Sequence, residues 1–330
     1  MNWQFLLVLV GILCAIDALI HVTYALIALR HFERQPLFRV PEGKLHPDAE
    51  PIAVPTADGI TLRGHVVPPS GPSSRGVIVF CPETAGGHEL VMHYLEGLQR
   101  AGYTLVSFDF ANTGESDHRP DYVPNHWPTT YEVADVDAVL DFVEETPQFS
   151  DLPIGLFGVS RGAATALAAG ARRPDVRAIV VQGAYSTRSL TLYHVSRRIE
   201  YVVGRWSKLL PSWHVRVTIW LTMLFSQVHR GCRFAHLERL LPEWSDRDVL
   251  FVCGGSDSYV PASIGRELCL RSGHDPATSH WTVRGAKHNL ERSVDPEEFD
   301  RRVIEFFEKV FHGAAETANP PSSLDAAGLR

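Results

Sequence analysis

The sequence predicts an α/β protein with an eight-stranded, mostly parallel sheet and helices on both faces, behind one N-terminal transmembrane helix. Three observations carry this. Short β-rich runs alternate with helical patterns along the body, the signature of strand–helix–strand units. From Gly76-Val77-Ile78-Val79-Phe80-Cys81 onward the runs are unbroken apolar stretches, as parallel strands covered on both faces require. Phe5 to Leu29 forms one long apolar run.

At a rise of about 1.5 Å per residue, that first run crosses a hydrocarbon core of about 30 Å with some tilt. A cleavable signal peptide would have a positive start, a shorter apolar centre and a small-residue cleavage site. No Lys or Arg precedes this run, and the run is too long. Cys14 follows Leu13 rather than a small residue, which argues against a lipoprotein site. Arg30, Arg34, Arg39 and Lys44 follow the run, so the positive-inside bias predicts a single-pass protein with its body in the cytoplasm. Asp17 and His21 interrupt the run four residues apart, on one helical face. They are an intramembrane polar site or a helix-pairing face, or else a tolerated pair in a plain anchor; the plain anchor is the preferred reading.

The anchor is assigned to residues 1–30 and a proline-bearing juxtamembrane linker to 31–50. The body runs from 51 to 312, and the small, polar tail 313–330 is expected to be disordered. Strands are predicted at 51–55, 60–67, 76–81, 103–109, 153–158, 177–183, 248–253 and 278–283. Ala57-Asp58-Gly59 marks a hairpin turn between the first two. Helices are predicted at 89–101, 130–145, 161–173, 261–272 and 297–311. Thr129 and Glu132 form a capping box ahead of the stripe Val133, Val136, Val139, Leu140, Val143. Residues 184–245 are too long for a connection and read as a helical insert. Its run from Trp213 to Phe225 is too short to span a bilayer, so it is a lid, an interfacial patch or an ordinary helical subdomain.

Composition narrows the function classes. The 330 residues carry a net charge of −7 with scattered basic residues, which excludes a nucleic-acid partner. The cysteines (Cys14, Cys81, Cys232, Cys253, Cys269) are odd in number and irregularly spaced, so no disulfide framework is expected. Cys81 and Cys253 lie in apolar runs and read as core thiols.

Gly158-Val159-Ser160-Arg161-Gly162 lies between a predicted strand and an Ala-rich helix. A nucleophile elbow needs that strand–turn–helix context, with glycines where flanking side chains would collide. A serine hydroxyl also needs a base. His288, in Gly285-Ala286-Lys287-His288-Asn289, follows the last predicted strand, at the sheet end where open α/β folds put their sites. The acid should leave an earlier strand, and Asp257 does so in Gly254-Gly255-Ser256-Asp257. Ser256 is no acid, and Asp246 precedes the strand.

With these segments in order, residues 50–312 resemble the α/β-hydrolase superfamily, and most of all its serine aminopeptidase-like, monoacylglycerol-lipase-like and membrane-tethered branches. The matching pieces are residues 158–162, Gly254 to Pro261, 285–289 and the Phe108 to Ser116 turn, which is taken as structural. The resemblance implies the α/β-hydrolase fold with a helical lid or cap. It implies a Ser160–Asp257–His288 triad and an oxyanion hole made by the backbone N–H groups of Glu83 and Arg161. Here the sequence departs from the family. Cys81-Pro82-Glu83 replaces the usual His-Gly, Pro82 has no N–H, and an inward Glu83 carboxylate would repel an oxyanion. The side chain must turn away, or the donor becomes Thr84.

His88 and His93 are five apart and so miss the four-residue zinc-protease spacing. No phosphate loop is present, and no metal or cofactor is expected. The expected activity is cleavage of carboxylic esters, with lipid acyl esters as a candidate class, by a membrane-anchored serine hydrolase. A peptidase acting on short peptides is the alternative; Glu200, Glu238, Glu243 and Asp246 are the acids available to bind an amino terminus. A non-catalytic membrane scaffold is the third reading.

Overall fold

The structure is a computed structural model and describes residues 3–36, 40–240 and 247–318. Eight strands form one sheet: β1 (Glu50–Pro55), β2 (Thr61–Val67), β3 (Val77–Cys81), β4 (Thr104–Phe108), β5 (Ile154–Val159), β6 (Val176–Gln182), β7 (Asp248–Gly254) and β8 (His280–Val283). Their order is β1-β2-β4-β3-β5-β6-β7-β8. The β1–β2 and β2–β4 pairs are antiparallel and the rest are parallel. The β1–β2 turn passes through Gly59 at φ +85°, where a side chain would be strained.

Helix α1 spans Trp3–Phe32 and α2 Val91–Arg100, the latter entered through a short 3₁₀ turn at His88–Leu90. Then come α3 (Thr130–Glu145) and α4 (Arg161–Gly170). The insert holds α5 (Thr187–Val203), a 3₁₀ turn (Gly204–Leu209), α6 (Ser212–Arg230) and α7 (Leu237–Leu240). Last come α8 (Ala262–Arg271), α9 (Pro276–Ser279), α10 (Glu291–Val294) and α11 (Pro296–Ala318).

The sheet's period of two divides the core. Val77, Val79 and Cys81 of β3 pack with the stripe of α3 and the alanines of α4 on one face. Ile78 and Phe80 pack with Leu95 of α2 and Phe299 and Phe307 of α11 on the other. Strands buried on both faces cannot alternate polar with apolar, which is why their sequences are continuous apolar runs. The Thr129–Glu132 capping box forms, with the Thr129 N–H donating to Glu132 Oε2 at 2.9 Å. Cys81 and Cys253 are buried core thiols, and all five cysteines are free.

The insert forms a cap whose apolar cluster joins Tyr185, Leu190, Ile219, Met223 and Phe234 to Phe32, Trp127 and Ile264 outside it. A short strand-like crossing ties its end to the body: the Thr130 N–H donates to the Arg233 carbonyl at 2.8 Å.

Three expectations need correction. The N-terminal helix continues past residue 30, because Phe32 is buried in the cap cluster, stacked on Trp127 at 4.8 Å, while its carbonyl accepts from Trp127 Nε1 at 2.9 Å. Asp17 and His21 are not a tolerated pair in a plain anchor. His21 is buried against α6, where its Nδ1 meets Thr218 Oγ1 at 2.9 Å, so this is a helix-pairing face. The final helix runs on through Ala318, six residues into the segment expected to be disordered. Glu and Ala there favour helix, and the first proline comes only at Pro320. The rest of that tail, with Arg39, Glu243 and Asp246, lies outside the described residues.

Candidate active site

Strand β5 delivers Val159 directly into Ser160, which sits at φ +53° before α4 begins. A non-glycine residue there is strained, and strain of this kind persists only where its surroundings over-determine it. Here the glycines leave room for it. A Cβ on Gly158 would lie 2.5 Å from the Gly162 carbonyl oxygen. One on Gly162 would lie 2.1 Å from the Cys81 oxygen and 2.4 Å from that of Pro82. The Ser160 N–H donates to the Gln182 carbonyl at 2.8 Å, which pins the turn to β6.

The loops after β7 and β8 bring two distant residues to this turn. His288 Nε2 is 2.9 Å from Ser160 Oγ, and His288 Nδ1 is 2.6 Å from Asp257 Oδ2. The other Asp257 oxygen accepts from the N–H groups of Tyr259 and Val260, both at 2.8 Å. Those bonds use the oxygen that does not face the imidazole, so they fix the carboxylate without competing with His288. All three side chains are nearly enclosed, in surroundings where an ion pair is worth more than in water.

The β3 loop and the start of α4 touch at Gly162, where the Cys81 and Pro82 carbonyls, just before Glu83, close on the residue after Arg161. Arg161 opens α4, where a helix leaves its N–H groups without intrahelical partners. The Glu83 carboxylate is occupied, accepting from Tyr94 Oη at 2.6 Å and from Asn289 Nδ2. Burial pushes its pKa up, against these two hydrogen bonds and the nearby His288. The buried Arg161 guanidinium donates to the Asn125 carbonyl at 3.1 Å and lies 3.5 Å from Glu132.

Several residues at the site have no role that the sequence assigns, although Tyr259 lies within the Gly254–Pro261 segment. Tyr259 packs edge-on to His288, with ring centroids 5.2 Å apart. Tyr185 lies beside Ser160, and its hydroxyl donates to the His126 carbonyl. Burial, and then Arg161, push the His126 pKa down to about 3, so that imidazole stays neutral. Behind His288, Glu291 is buried, accepts from Gln182 Nε2 at 2.6 Å and is pushed by burial up to about 8. Of these, Tyr259 alone lies in a motif segment, two residues beyond Asp257.

Among the described residues, two groups of three have metal-ligand spacing: His88–Glu89–Asp109 and Asp17–His21–His214. Asp109 already accepts from the N–H groups of His88 and Glu115, both at 2.8 Å, and faces His88 Nδ1 at 2.9 Å, so it organises the turn after β4. Of the acids considered for an amino terminus, Glu200 lies on the cap and Glu238 accepts from Ser186 Oγ.

Residues 76–217 match the family model described as alpha/beta hydrolase fold. An uncharacterized protein of Mycobacterium tuberculosis is 24% identical over 258 residues, which is 78% of this chain and 77% of that protein. An esterase of Pyrococcus furiosus is similar in structure, with a TM-score of 0.59 at 18% identity over 84% of this chain and 97% of its own. An esterase from Exiguobacterium antarcticum is also similar, with a TM-score of 0.51 at 15% identity over 78% of this chain and 99% of its own. The matched segment begins just before β3 and passes through the elbow, and the similar structures cover most of the chain, so this protein has the alpha/beta hydrolase fold.

Proposed function

We propose that this protein is a membrane-anchored serine hydrolase that cleaves carboxylic esters by way of an acyl-enzyme. The reading is carried by one observation: an unbroken relay from Ser160 Oγ through the His288 imidazole to Asp257, at 2.9 Å and 2.6 Å. Ser160 attacks the ester carbonyl while its proton passes to His288 Nε2. Asp257 holds the Nδ1–H tautomer and stabilises the imidazolium that forms. The Glu83 and Arg161 N–H groups are the proposed oxyanion donors. One such donor is worth about 2.7–4 kcal/mol at the transition state. His288 then returns the proton to the leaving alcohol, the ester C–O bond breaks, and water clears the acyl group by the reverse sequence.

The substrate class is esters, in keeping with the esterases that share this fold. Helix α1 has the length and composition to cross a membrane, which favours acyl esters that reside in lipid. A panel of p-nitrophenyl esters of increasing chain length, assayed on the wild type and on Ser160→Ala, tests the reading. Turnover that survives in Ser160→Ala would remove it.

A further inference from the structure

The cap leaves large apolar side chains in the open on α5, the 3₁₀ turn and α6. Tyr201 is 87% exposed and Leu209 71%, and Trp206, Trp213 and Trp220 are each more than half exposed. The cap is also cationic. Residues 184–240 contain nine Arg and Lys against two acids, Glu200 and Glu238, in a chain whose net charge is −7. On the 3₁₀ turn Gly204–Leu209 the exposed Trp206 and Leu209 stand beside the exposed Arg205 and Lys208, apolar and basic groups that match the two layers of a bilayer face, acyl chains and phosphates.

What connects this surface to a membrane is the pairing of α6 with α1. The two helices run parallel, with contacts repeating every four residues. His214 Nε2 is 3.5 Å from Asp17 Oδ1, Thr218 Oγ1 is 2.9 Å from His21 Nδ1, and Thr222 Oγ1 is 3.4 Å from the Ala25 carbonyl. Further on, Ser226 Oγ donates to Glu33 Oε1 at 2.8 Å. The part of α1 left free by the cap is therefore 3–16. That stretch is only about 21 Å long, against a hydrocarbon core of about 30 Å. If α1 crosses, the missing length of roughly 9 Å comes from the half paired with α6. The first turns of α6 and the 3₁₀ turn before it then enter the leaflet with α1. The seam gives Asp17 and His21 partners on α6, and Thr23 donates to the Leu19 carbonyl within α1, as polar groups at that depth require.

We propose that the cap sits in the near leaflet of an anionic bilayer, with Trp206, Leu209 and Trp213 among the acyl chains and the exposed Arg197, Arg198, Arg205, Lys208 and Arg216 reaching the lipid phosphates. Basic side chains reach that layer from a shallow depth by extending along their own methylene stems. The proposal rests on the membrane reading of α1 and is independent of the chemistry at Ser160.

The test uses the full chain in vesicles, with a nitrobenzoxadiazole label at Leu209→Cys in a Cys14→Ser background. A second sample carries the label at the native Cys14, which lies on the free part of α1. Both are read by quenching with spin-labelled lipid and with aqueous iodide, in phosphatidylcholine with and without phosphatidylglycerol. The expected result is several-fold stronger quenching of the Leu209 site by lipid than by iodide. Phosphatidylglycerol should increase the lipid quenching, and the double change Arg205→Glu and Lys208→Glu should remove that increase. Iodide quenching at the Leu209 site, with lipid quenching at Cys14, would overturn the cap proposal and leave the anchor standing. Iodide quenching at both sites would remove the anchor and the proposal together. No response to phosphatidylglycerol would overturn the anionic preference.

Discussion

The imidazole of His288 meets the hydroxyl of Ser160 at 2.9 Å although 128 positions separate them in the chain. The contact exists because β5 and β8 end at the same edge of one parallel sheet, with β6 and β7 between them. Asp257 reaches the same edge from β7 and faces the far side of the ring.

Asp257→Asn keeps the shape and loses the charge. Its amide would present a donor to Nδ1 and favour the wrong tautomer. On ester substrate kcat should fall about 10⁴-fold with the fold unchanged, as in other triads of this kind. Steady-state kinetics and circular dichroism check both halves.

Gly162→Ala should be among the most damaging small substitutions in the protein. The added methyl would meet two backbone oxygens, and backbone cannot swing aside as a side chain can. The expected loss exceeds the roughly 1–3 kcal/mol typical of overpacking. Thermal unfolding in detergent would register it.

Glu83 is a positioning residue in this account: it holds Asn289, the neighbour of His288, and Tyr94. Glu83→Gln sets an amide N–H against one of two groups that already donate. The expected cost is about 1–3 kcal/mol in stability, together with a roughly 10-fold drop in kcat at nearly constant KM. A change in KM alone would assign Glu83 to substrate binding instead.

Glu291 gives the protein a pH signature. Its carboxyl is pushed by burial from 4.5 up to about 8 in the folded state. Between those values the folded state binds the proton that the unfolded state has released, so this group's contribution to stability falls as pH rises from about 5 to about 8 and levels off above. Glu291→Gln keeps an acceptor for Gln182 and cannot ionise. The melting temperature of the variant should fall less across that window than that of the wild type. Parallel curves would contradict this placement of the proton.

Much of the fold could be read from the residues because strand burial writes itself locally. The central strands β3 to β7 are short, mostly apolar runs, and the hairpin turn and capping box have their own local chemistry. The elbow was readable for the same reason: Gly158 and Gly162 are required by contacts within a few residues or with the adjacent strand. What escaped depends on partners far along the chain. Asp17 and His21 look like a tolerated pair until α6 is laid beside α1, because nothing local encodes a parallel register with His214, Thr218 and Thr222. Glu83 likewise looked hostile to an oxyanion, because its partners Tyr94 and Asn289 lie on α2 and in the loop after β8.

Fluorophosphonate labelling followed by peptide mass spectrometry tests the proposed chemistry most directly. The wild type should carry one adduct, on Ser160, formed at a rate that falls at least about 10³-fold in His288→Ala. An unlabelled wild type, or equal labelling of Ser160→Ala, would contradict the serine-hydrolase account.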